Sequence, residues 1–242
     1  MKKHSFTLIE LVTLIVLALI LIAMLFPMKD HIKGKARASS CIGNLKQTGV
    51  AFAVYANENN DLFPAANFGT SAPVTQAETD VFNTSLEQVN AASLTAQETP
   101  WYAALGILGY LPETAPSAFA NRLERTVANC PEGTLFLKDG ASYGVPLGNT
   151  ANTAAPGIGD AAAGGLYHRR SLMESQSIIA ADSADSAGNE IYYLGKSGTG
   201  TSWNDPADDA GAALRHNGRA NVLFADGGAA PLTAEQITEN GN

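Results

Sequence analysis

Apolar residues are concentrated in one run near the start of the chain. From Leu11 to Met28 no residue is charged, and ten of the residues from Leu14 to Phe26 are Leu, Ile, Val or Phe. As a helix this run is about 27 Å long, close to the roughly 30 Å hydrocarbon core of a bilayer. The pattern therefore predicts a membrane-spanning helix over residues 6–28.

One carboxylate, Glu10, lies near the beginning of this run. An ionisable group on a membrane-spanning helix costs on the order of a few kcal/mol, so its presence indicates a function. The apolar side chains offset that cost by about 3 to 6 kcal/mol on the insertion scale. The segment can therefore carry the carboxylate near its end.

The hydrophobic pattern changes over residues 29–62. Apolar and small residues recur there at intervals of three and four, which places them on one face of a helix. They are Ile42, Leu45, Gly49, Phe52 and Ala56. An acidic, Asn-rich stretch followed by Pro64 ends the pattern. Together the two segments predict one continuous helix from Phe6 to about Asn60, about 80 Å long, which serves as membrane anchor and stalk.

The remainder, residues 63–242, predicts an α+β head with a small antiparallel sheet. SIIAADS and EIYYLG have strand patterns, and ANVLFADGGAAPLT predicts a hairpin that turns at Asp226 and Gly227. Thr233 and Gln236 form a capping-box pattern for a short final helix. The segments poor in large apolar residues, which predict loops, are 65–99 and 149–165.

Charge and cysteine content exclude several classes of protein. The formal net charge is −8, which argues against a nucleic-acid partner because phosphate binding needs a basic face. Cys41 and Cys130 are the only two cysteines. They exclude a disulfide-dense scaffold and a zinc site made of cysteine alone, but they permit one disulfide.

The N-terminal segment is consistent with three interpretations. A cleaved secretory signal would use the triplet at residues 36–38, but the apolar run is longer than the usual signal core. An uncleaved signal anchor explains the length and leaves Glu10 without a role. The third interpretation depends on residues 5–10, SFTLIE, which resemble the type III signal of type IV pilins and type II secretion pseudopilins.

That resemblance implies a processing reaction. In this family a peptidase removes a short basic leader just before a Phe and methylates the new amino terminus. Here the leader is residues 1–5, the cleavage site is Ser5–Phe6, and Phe6 is the methylated residue. Glu10 becomes the fifth residue of the mature chain, where the resemblance implies that it pairs with the Phe6 amine of a neighbouring subunit. The family usually has Gly at the position of Ser5, so the chain departs from the pattern there.

The resemblance extends to the middle and the end of the chain. His216, nine further residues and then Asp226-Gly227 match a His-x9-Asp-Gly element found in a large group of prepilin-processed bacterial proteins. That group also tends to carry CxxNLKQ, here residues 41–47, and a Cys-Pro pair, here Cys130-Pro131. Gly228 departs from the His or bulky residue that is usual after the Asp-Gly pair.

The C-terminal element favours structure over chemistry. His216 and Asp226 complete no catalytic triad and no metal-ligand set by themselves. We expect His216 to hydrogen-bond the hairpin backbone, and Asp226 and Gly227 to supply the turn. A binding role for His216 stays open, and no catalytic residue, metal or cofactor is predicted.

An acidic stretch begins within the last residues of the first strand pattern of the head. It contains Asp182, Asp185, Asn189 and Glu190. Oxygen-rich clusters suit calcium, but this spacing does not match an EF-hand loop. The stretch therefore predicts a solvated acidic loop, with calcium binding left open.

These features predict a non-enzymatic structural subunit of a type II secretion or type IV pilus-like assembly. The resemblance implies four partners: a prepilin peptidase that is also the methyltransferase, other pilin-like subunits, the assembly platform and the membrane. The expected location is the inner membrane, spanned once, with a cytoplasmic amino terminus and a periplasmic head. Two alternatives stay open: a membrane-anchored extracytoplasmic binding domain that does not polymerise, and a small exported hydrolase that uses His216.

The two cysteines would meet in an oxidising compartment if the head lies there. A Cys41–Cys130 disulfide would tie the stalk to the head and contribute about 4 to 5 kcal/mol in the entropic model. Two buried free thiols are equally compatible with the sequence.

Overall fold

The computed structural model describes ten segments of the chain. They are residues 7–25, 28–64, 67–68, 99–111, 127–133, 141–146, 169–185, 187–191, 193–194 and 211–240. The predicted loop 149–165 lies outside these residues, as does most of the predicted loop 65–99. The same holds for the leader, residues 1–5, and for Phe6.

The N-terminal part of the chain forms two helices. Helix α1 spans Leu8–Leu25 and has 18 residues, and helix α2 spans Met28–Glu58 and has 31 residues. The predicted long N-terminal stalk helix is therefore wrong, and with it the pilin-like fold that was built on one continuous helix. Pro27 stands between the two helices in the sequence, and a proline in a helix interior removes a donor and clashes with the preceding turn.

The prediction of a membrane-spanning segment over residues 6–28 is also wrong. Among the described residues, none of the helices combines the length and the apolar character that crossing a membrane demands. The prediction of a single-pass inner-membrane location, with a cytoplasmic amino terminus and a periplasmic head, is wrong for the same reason.

The head is built on a mostly antiparallel sheet. Its strands are β3 Tyr143–Pro146, β4 Ile178–Ala184, β5 Tyr193–Leu194, β6 Gly211–Ala212, β7 Ala220–Phe224 and β8 Ala229–Leu232. The order across the sheet is β5-β3-β4-β7-β8, and β6 pairs with β4 beside this path. Only the pairing of β3 with β5 is parallel among these described strands. A separate pair joins β1 Asn67–Phe68 to β2 Thr99–Pro100.

The predicted hairpin and capping box are confirmed. Strands β7 and β8 pair in the register Val222 opposite Ala230, and Gly227 in the connecting turn has φ of 86°. Only glycine adopts that conformation without a steric penalty. Thr233 and Gln236 exchange hydrogen bonds at the start of the final helix, α4 (Ala234–Asn240).

One face of α2 covers the sheet. The buried residues of this face follow the helical spacing, and they include Cys41, Leu45, Thr48, Phe52, Tyr55 and Ala56. Phe52 packs edge-on against Trp101, with ring centroids 5.3 Å apart, at the start of helix α3 (Trp101–Ile107). A smaller cluster on the other side of the sheet joins Ile178 and Val222 to Ile237 of α4. The sheet therefore has buried side chains on both faces.

Helix α2 ends in a left-handed turn. Asn60 and Asp61 have φ of 54° and 66°, and the Asp61 amide donates to the Ala56 carbonyl at 2.8 Å. This is the hydrogen bond of a Schellman motif, in which Asn is the common substitute for glycine. The Asp61 carbonyl and carboxylate then accept hydrogen bonds from the amides of Arg170 and Ser171. These bonds tie the end of α2 to the segment that leads into β4.

Candidate functional site

Glu10 caps the first turn of α1. Its carboxylate accepts hydrogen bonds of 2.8 Å from the amide and the hydroxyl of Thr7, while the Glu10 amide donates to the Thr7 hydroxyl at 3.4 Å. This reciprocal pattern is a capping box. The hydrogen bonds from Thr7, that of its amide above all, lower the pKa of the fully exposed Glu10. The structure therefore gives Glu10 a local role that the sequence did not predict.

The surface of α1 is apolar around its whole circumference. Every side chain from Thr7 to Ile22 is exposed, and the large apolar ones range from 48% exposed at Val12 to 81% at Leu8. A helix that is hydrophobic on all sides is expected to be buried in its working state. We infer that α1 has an unfilled contact surface.

A second candidate site is a buried cluster of Cys41, Cys130, Asp182 and His216. One ligand-type atom from each side chain, two sulfurs, a carboxylate oxygen and an imidazole nitrogen, lies within 4.8 Å of the other three. The four residues are 0%, 2%, 0% and 6% exposed. They come from four different parts of the fold.

Local structure positions the two cysteines. Cys41 lies on the buried face of α2, one turn before Leu45. Cys130 lies in a turn, residues 127–133, that Asn44 of α2 anchors by donating to the Asn129 carbonyl at 2.9 Å. Helix α2 thus presents its own thiol and fixes the segment that carries the other.

Asp182 and His216 are positioned by the sheet. Asp182 is in the central strand β4, where its carboxylate accepts the Asn221 amide of β7 at 2.8 Å. His216 precedes a tight turn in which Asn217 and Gly218 have φ of 53° and 75°, and its backbone pairs with Arg219. An Asn-Gly pair with positive φ at both residues is typical of a type I′ turn. That dipeptide is the sequence signal for the turn that holds His216.

Three short contacts join the four side chains. The Cys41 thiol donates to Asp182 Oδ1 at 3.3 Å, and Cys130 Sγ lies 3.3 Å from His216 Nε2. His216 Nε2 also lies 3.2 Å from Asp182 Oδ2. These distances place the imidazole between a thiol and a carboxylate.

Two further residues surround the cluster. Glu132 Oε2 lies 2.8 Å from Nδ1 of His216, so both ring nitrogens face a carboxylate. The Tyr143 hydroxyl lies 3.3 Å from Cys41 Sγ. Glu132 therefore orients the imidazole, and Tyr143 supports the thiol of Cys41.

The pKa values of three groups in the cluster are shifted from their ordinary values. Hydrogen bonding with Cys41 and with His216 lowers the pKa of Cys130 to about 6, although burial opposes this. Burial would lower the pKa of His216, but hydrogen bonds with Asp182 and Cys130 outweigh it and raise that pKa to about 10. The hydrogen bond with Cys130, burial and the Asp182 charge raise the pKa of Cys41. Both shifts favour charge separation between the Cys130 sulfur and the His216 imidazole.

A buried ion pair borders the cluster. Arg215 Nη1 lies 2.7 Å from Oε1 of Glu190, and the same carboxylate oxygen accepts the Ser142 hydroxyl at 2.8 Å. Burial is the main cause that raises the pKa of Glu190. A side chain at Gly133 would collide with the Glu190 carboxylate, which explains why the turn that carries Cys130 has glycine there.

The structure separates the predicted C-terminal element into two parts. The His216 side chain contacts Glu132, Asp182 and Cys130 rather than the hairpin. Asp226 is exposed, and its carboxylate accepts the amide of Gly228 at 2.7 Å. Asp226 and Gly227 thus form a turn, as expected, and Asp226 contributes nothing to the buried cluster.

The two cysteines lie side by side in the cluster as free thiols. Their predicted disulfide stays a prediction. Sequence reasoning placed Asp182 near the end of the strand pattern SIIAADS but assigned its carboxylate to a solvated acidic stretch, and so did not predict its place in the cluster.

The cluster contains a potential nucleophile and a potential base, but both are buried from solvent. A thiol, an imidazole and the carboxylate of Glu132 are in line, which is the order used in cysteine-dependent acyl transfer. A reacting carbonyl must reach the sulfur, and Cys130 is 2% exposed with His216 at 6%. This burial favours a structural or ligand-holding role over catalysis.

Neither a scan against protein-family models, nor a search of curated proteins, nor a search of solved structures found a match to this chain.

Proposed function

We propose that this protein is a non-enzymatic structural subunit of a type II secretion or type IV pilus-like assembly, and that it assembles through α1. The observation that supports this proposal is the exposed apolar surface of α1, which has no carboxylate or cation between Leu11 and Ile22. Burying large apolar side chains contributes about 1.5 to 3 kcal/mol each. The corresponding apolar helices of neighbouring pilin-like subunits are the occupants that fit this surface.

Glu10 supplies the specificity of the contact. When helices bundle, its carboxylate leaves water, and a buried carboxylate needs a cationic partner. Cleavage between Ser5 and Phe6 would create such a partner, the amine of Phe6. Pairing of Glu10 with the Phe6 amine of a neighbour would fix the axial register of the two helices.

This function implies the same protein partners that the sequence resemblance implies. A prepilin peptidase and methyltransferase would act at Ser5 and Phe6, and an assembly platform would feed the subunits into the polymer. The buried core of the head, with its closed cysteine and histidine cluster, supports a structural protein over a hydrolase. The head would be the part of the subunit that other proteins meet.

The capping box allows a sharp test of Glu10. Glutamine can replace glutamate in a capping box, so Glu10→Gln keeps the cap and removes the charge. Thr7→Ala does the reverse, since it removes the hydroxyl of the cap and keeps the carboxylate. A photo-crosslinking amino acid at Leu19, an exposed position of α1, would report self-association of the full chain in cells that contain a prepilin peptidase.

We expect Glu10→Gln and Glu10→Ala to lower the yield of crosslinked dimers by at least about tenfold, because the charge pair is lost. Thr7→Ala should keep most of the yield. Equal crosslinking in wild type and Glu10→Gln would contradict the proposal and favour a binding domain that does not polymerise. Loss of crosslinking in Thr7→Ala but not in Glu10→Gln would show that Glu10 acts only as a helix cap.

A further inference from the structure

The buried cluster has the ligand types of a transition-metal site. Cys41 and Cys130 offer sulfur, His216 offers nitrogen and Asp182 offers oxygen, and all four converge on one point. Mixed sulfur, nitrogen and oxygen sets with four members suit Zn²⁺, which prefers tetrahedral coordination. Calcium and magnesium prefer oxygen ligands alone, so the two sulfurs argue against both ions.

The spacing of the ligand atoms fits the same geometry. Zinc bonds of about 2.0 to 2.3 Å place the corners of a tetrahedron about 3.3 to 3.8 Å apart. Three separations in the cluster are 3.3 Å from Cys41 Sγ to Asp182 Oδ1, 3.3 Å from Cys130 Sγ to His216 Nε2 and 3.2 Å from His216 Nε2 to Asp182 Oδ2. All four ligand atoms lie within 4.8 Å of one another, so a bound ion requires the widest pair to close by at most about 1 Å.

The surrounding residues prepare the ligands. Metal-bound histidines usually direct their second ring nitrogen to a carboxylate or carbonyl, which orients the first nitrogen toward the ion. Glu132 makes this contact with Nδ1 of His216 at 2.8 Å. The Asn221 amide holds Asp182 Oδ2 at 2.8 Å, and Tyr143 contacts the sulfur of Cys41.

We propose that Cys41, Cys130, Asp182 and His216 bind one structural Zn²⁺ ion that fastens helix α2 to the sheet of the head. Four protein ligands and near-complete burial leave no open position, which is the arrangement of structural rather than catalytic zinc sites. The ion would join α2, the turn 127–133, β4 and the turn before β7. This site is independent of the assembly role proposed for α1.

A disulfide is the competing use of the same two sulfurs. It would consume both thiols and needs a two-electron oxidant, whereas metal binding needs only deprotonated sulfurs. The two states exclude each other, so one measurement of thiol content distinguishes them. Full-length protein purified under reducing conditions and counted for thiols is therefore the starting material.

The direct test is titration of this protein with Co²⁺, followed by displacement with Zn²⁺. We expect one Co²⁺ per chain, thiolate-to-cobalt charge-transfer absorption and the intense visible bands of tetrahedral cobalt. Cys41→Ser and Cys130→Ser should each halve the charge-transfer absorption, approximately, since each removes one of two sulfurs. His216→Ala should weaken affinity at least about tenfold.

Two variants keep the test decisive if a ligand variant fails to fold. Glu132→Gln leaves all four ligands and should keep the cobalt spectrum while weakening affinity about 10- to 100-fold. Asp185→Asn is the matched control, because that carboxylate directly follows the same strand, accepts hydrogen bonds from Ala187 and Asn189, and is not one of the four ligands. It should bind Co²⁺ like the wild type.

Absence of a cobalt spectrum in folded wild-type protein with two free thiols would overturn the proposal. An unchanged charge-transfer band in both cysteine variants would also overturn it. The same holds if the protein folds only with Cys41 and Cys130 oxidised to a disulfide, as shown by its mass under non-reducing conditions. None of these results would bear on crosslinking through α1, so the two proposals fail separately.

Discussion

The sulfur of Cys130 lies 3.3 Å from Nε2 of His216, although 86 residues separate them in the chain. Cys130 belongs to a turn held by α2, and His216 to a turn that leads into β7. The contact therefore connects the N-terminal helix layer with the C-terminal hairpin strand. It also makes the two sequence motifs, Cys-Pro and the His of His-x9-Asp-Gly, parts of one buried unit.

The first prediction concerns the amino terminus. If the prepilin-type signal is read as proposed, the mature chain begins at methylated Phe6. Removal of residues 1–5 takes away Lys2 and Lys3, so the formal charge changes from −8 to −10. Mass spectrometry of protein from cells with and without a prepilin peptidase measures this directly. An intact terminus in both strains would contradict the prediction, and a chain that begins at Ser39 would indicate a secretory signal instead.

The second prediction concerns the close approach of α2 to β7. A Cβ atom at Gly49 would lie 2.8 Å from Cδ1 of Leu223, a fully buried side chain, whereas one at Gly43 meets nothing within 4 Å. Gly43→Ala should stabilise the protein by up to about 1 kcal/mol, because alanine favours helix over glycine. Gly49→Ala gains the same helix propensity but overpacks the core, which costs about 1 to 3 kcal/mol.

Urea denaturation of both glycine variants gives the comparison. The two positions lie on one helix, so Gly43→Ala is the matched control for propensity. We expect Gly49→Ala to have the lower free energy of unfolding by about 1 to 3 kcal/mol. Equal stabilities would mean that α2 does not press against Leu223.

The third prediction concerns the ion pair of Arg215 with Glu190. Arg215 also donates to the Ser183 carbonyl at 2.6 Å, and the side chain of Glu190 is only 2% exposed. Arg215→Met leaves a buried carboxylate without its cation, and we expect a loss of about 3 to 5 kcal/mol. Glu190→Gln removes the charge that the arginine balances, and the double variant should lose less than the sum of the single losses.

A double-mutant cycle at constant pH measures this coupling. Unfolding free energies of the wild type, the two single variants and the double variant supply its four corners. Additive losses would show that the pair is not coupled in solution. In that case each residue would stabilise the fold through its other hydrogen bonds.

Local signals predicted local structure well. The Asp226-Gly227 hairpin and the Thr233–Gln236 cap depend on residues that are close in the chain, and both form as expected. The buried face of α2 follows its sequence pattern at Leu45, Gly49, Phe52 and Ala56, whereas Ile42 is only half-buried and Cys41 is buried instead. The long stalk helix failed as a prediction because two adjacent helical patterns were joined across Pro27, and hydrophobic periodicity cannot show whether two helices are continuous.

What the sequence by itself determined is the chemistry of each segment. It contains an apolar helix with one carboxylate at its start, an amphipathic helix, turn signals at Asn217-Gly218 and Asp226-Gly227, and two cysteines. What only the tertiary structure decided is which of these residues meet. Asp182 belongs both to a strand pattern and to an acidic stretch, and only its position between β3 and β7 buries its carboxylate. Cys130 and His216 come together only because α2 and the sheet hold their two turns at one point. Such contacts depend on pairing between distant segments of the chain, and no local pattern of residues encodes that pairing.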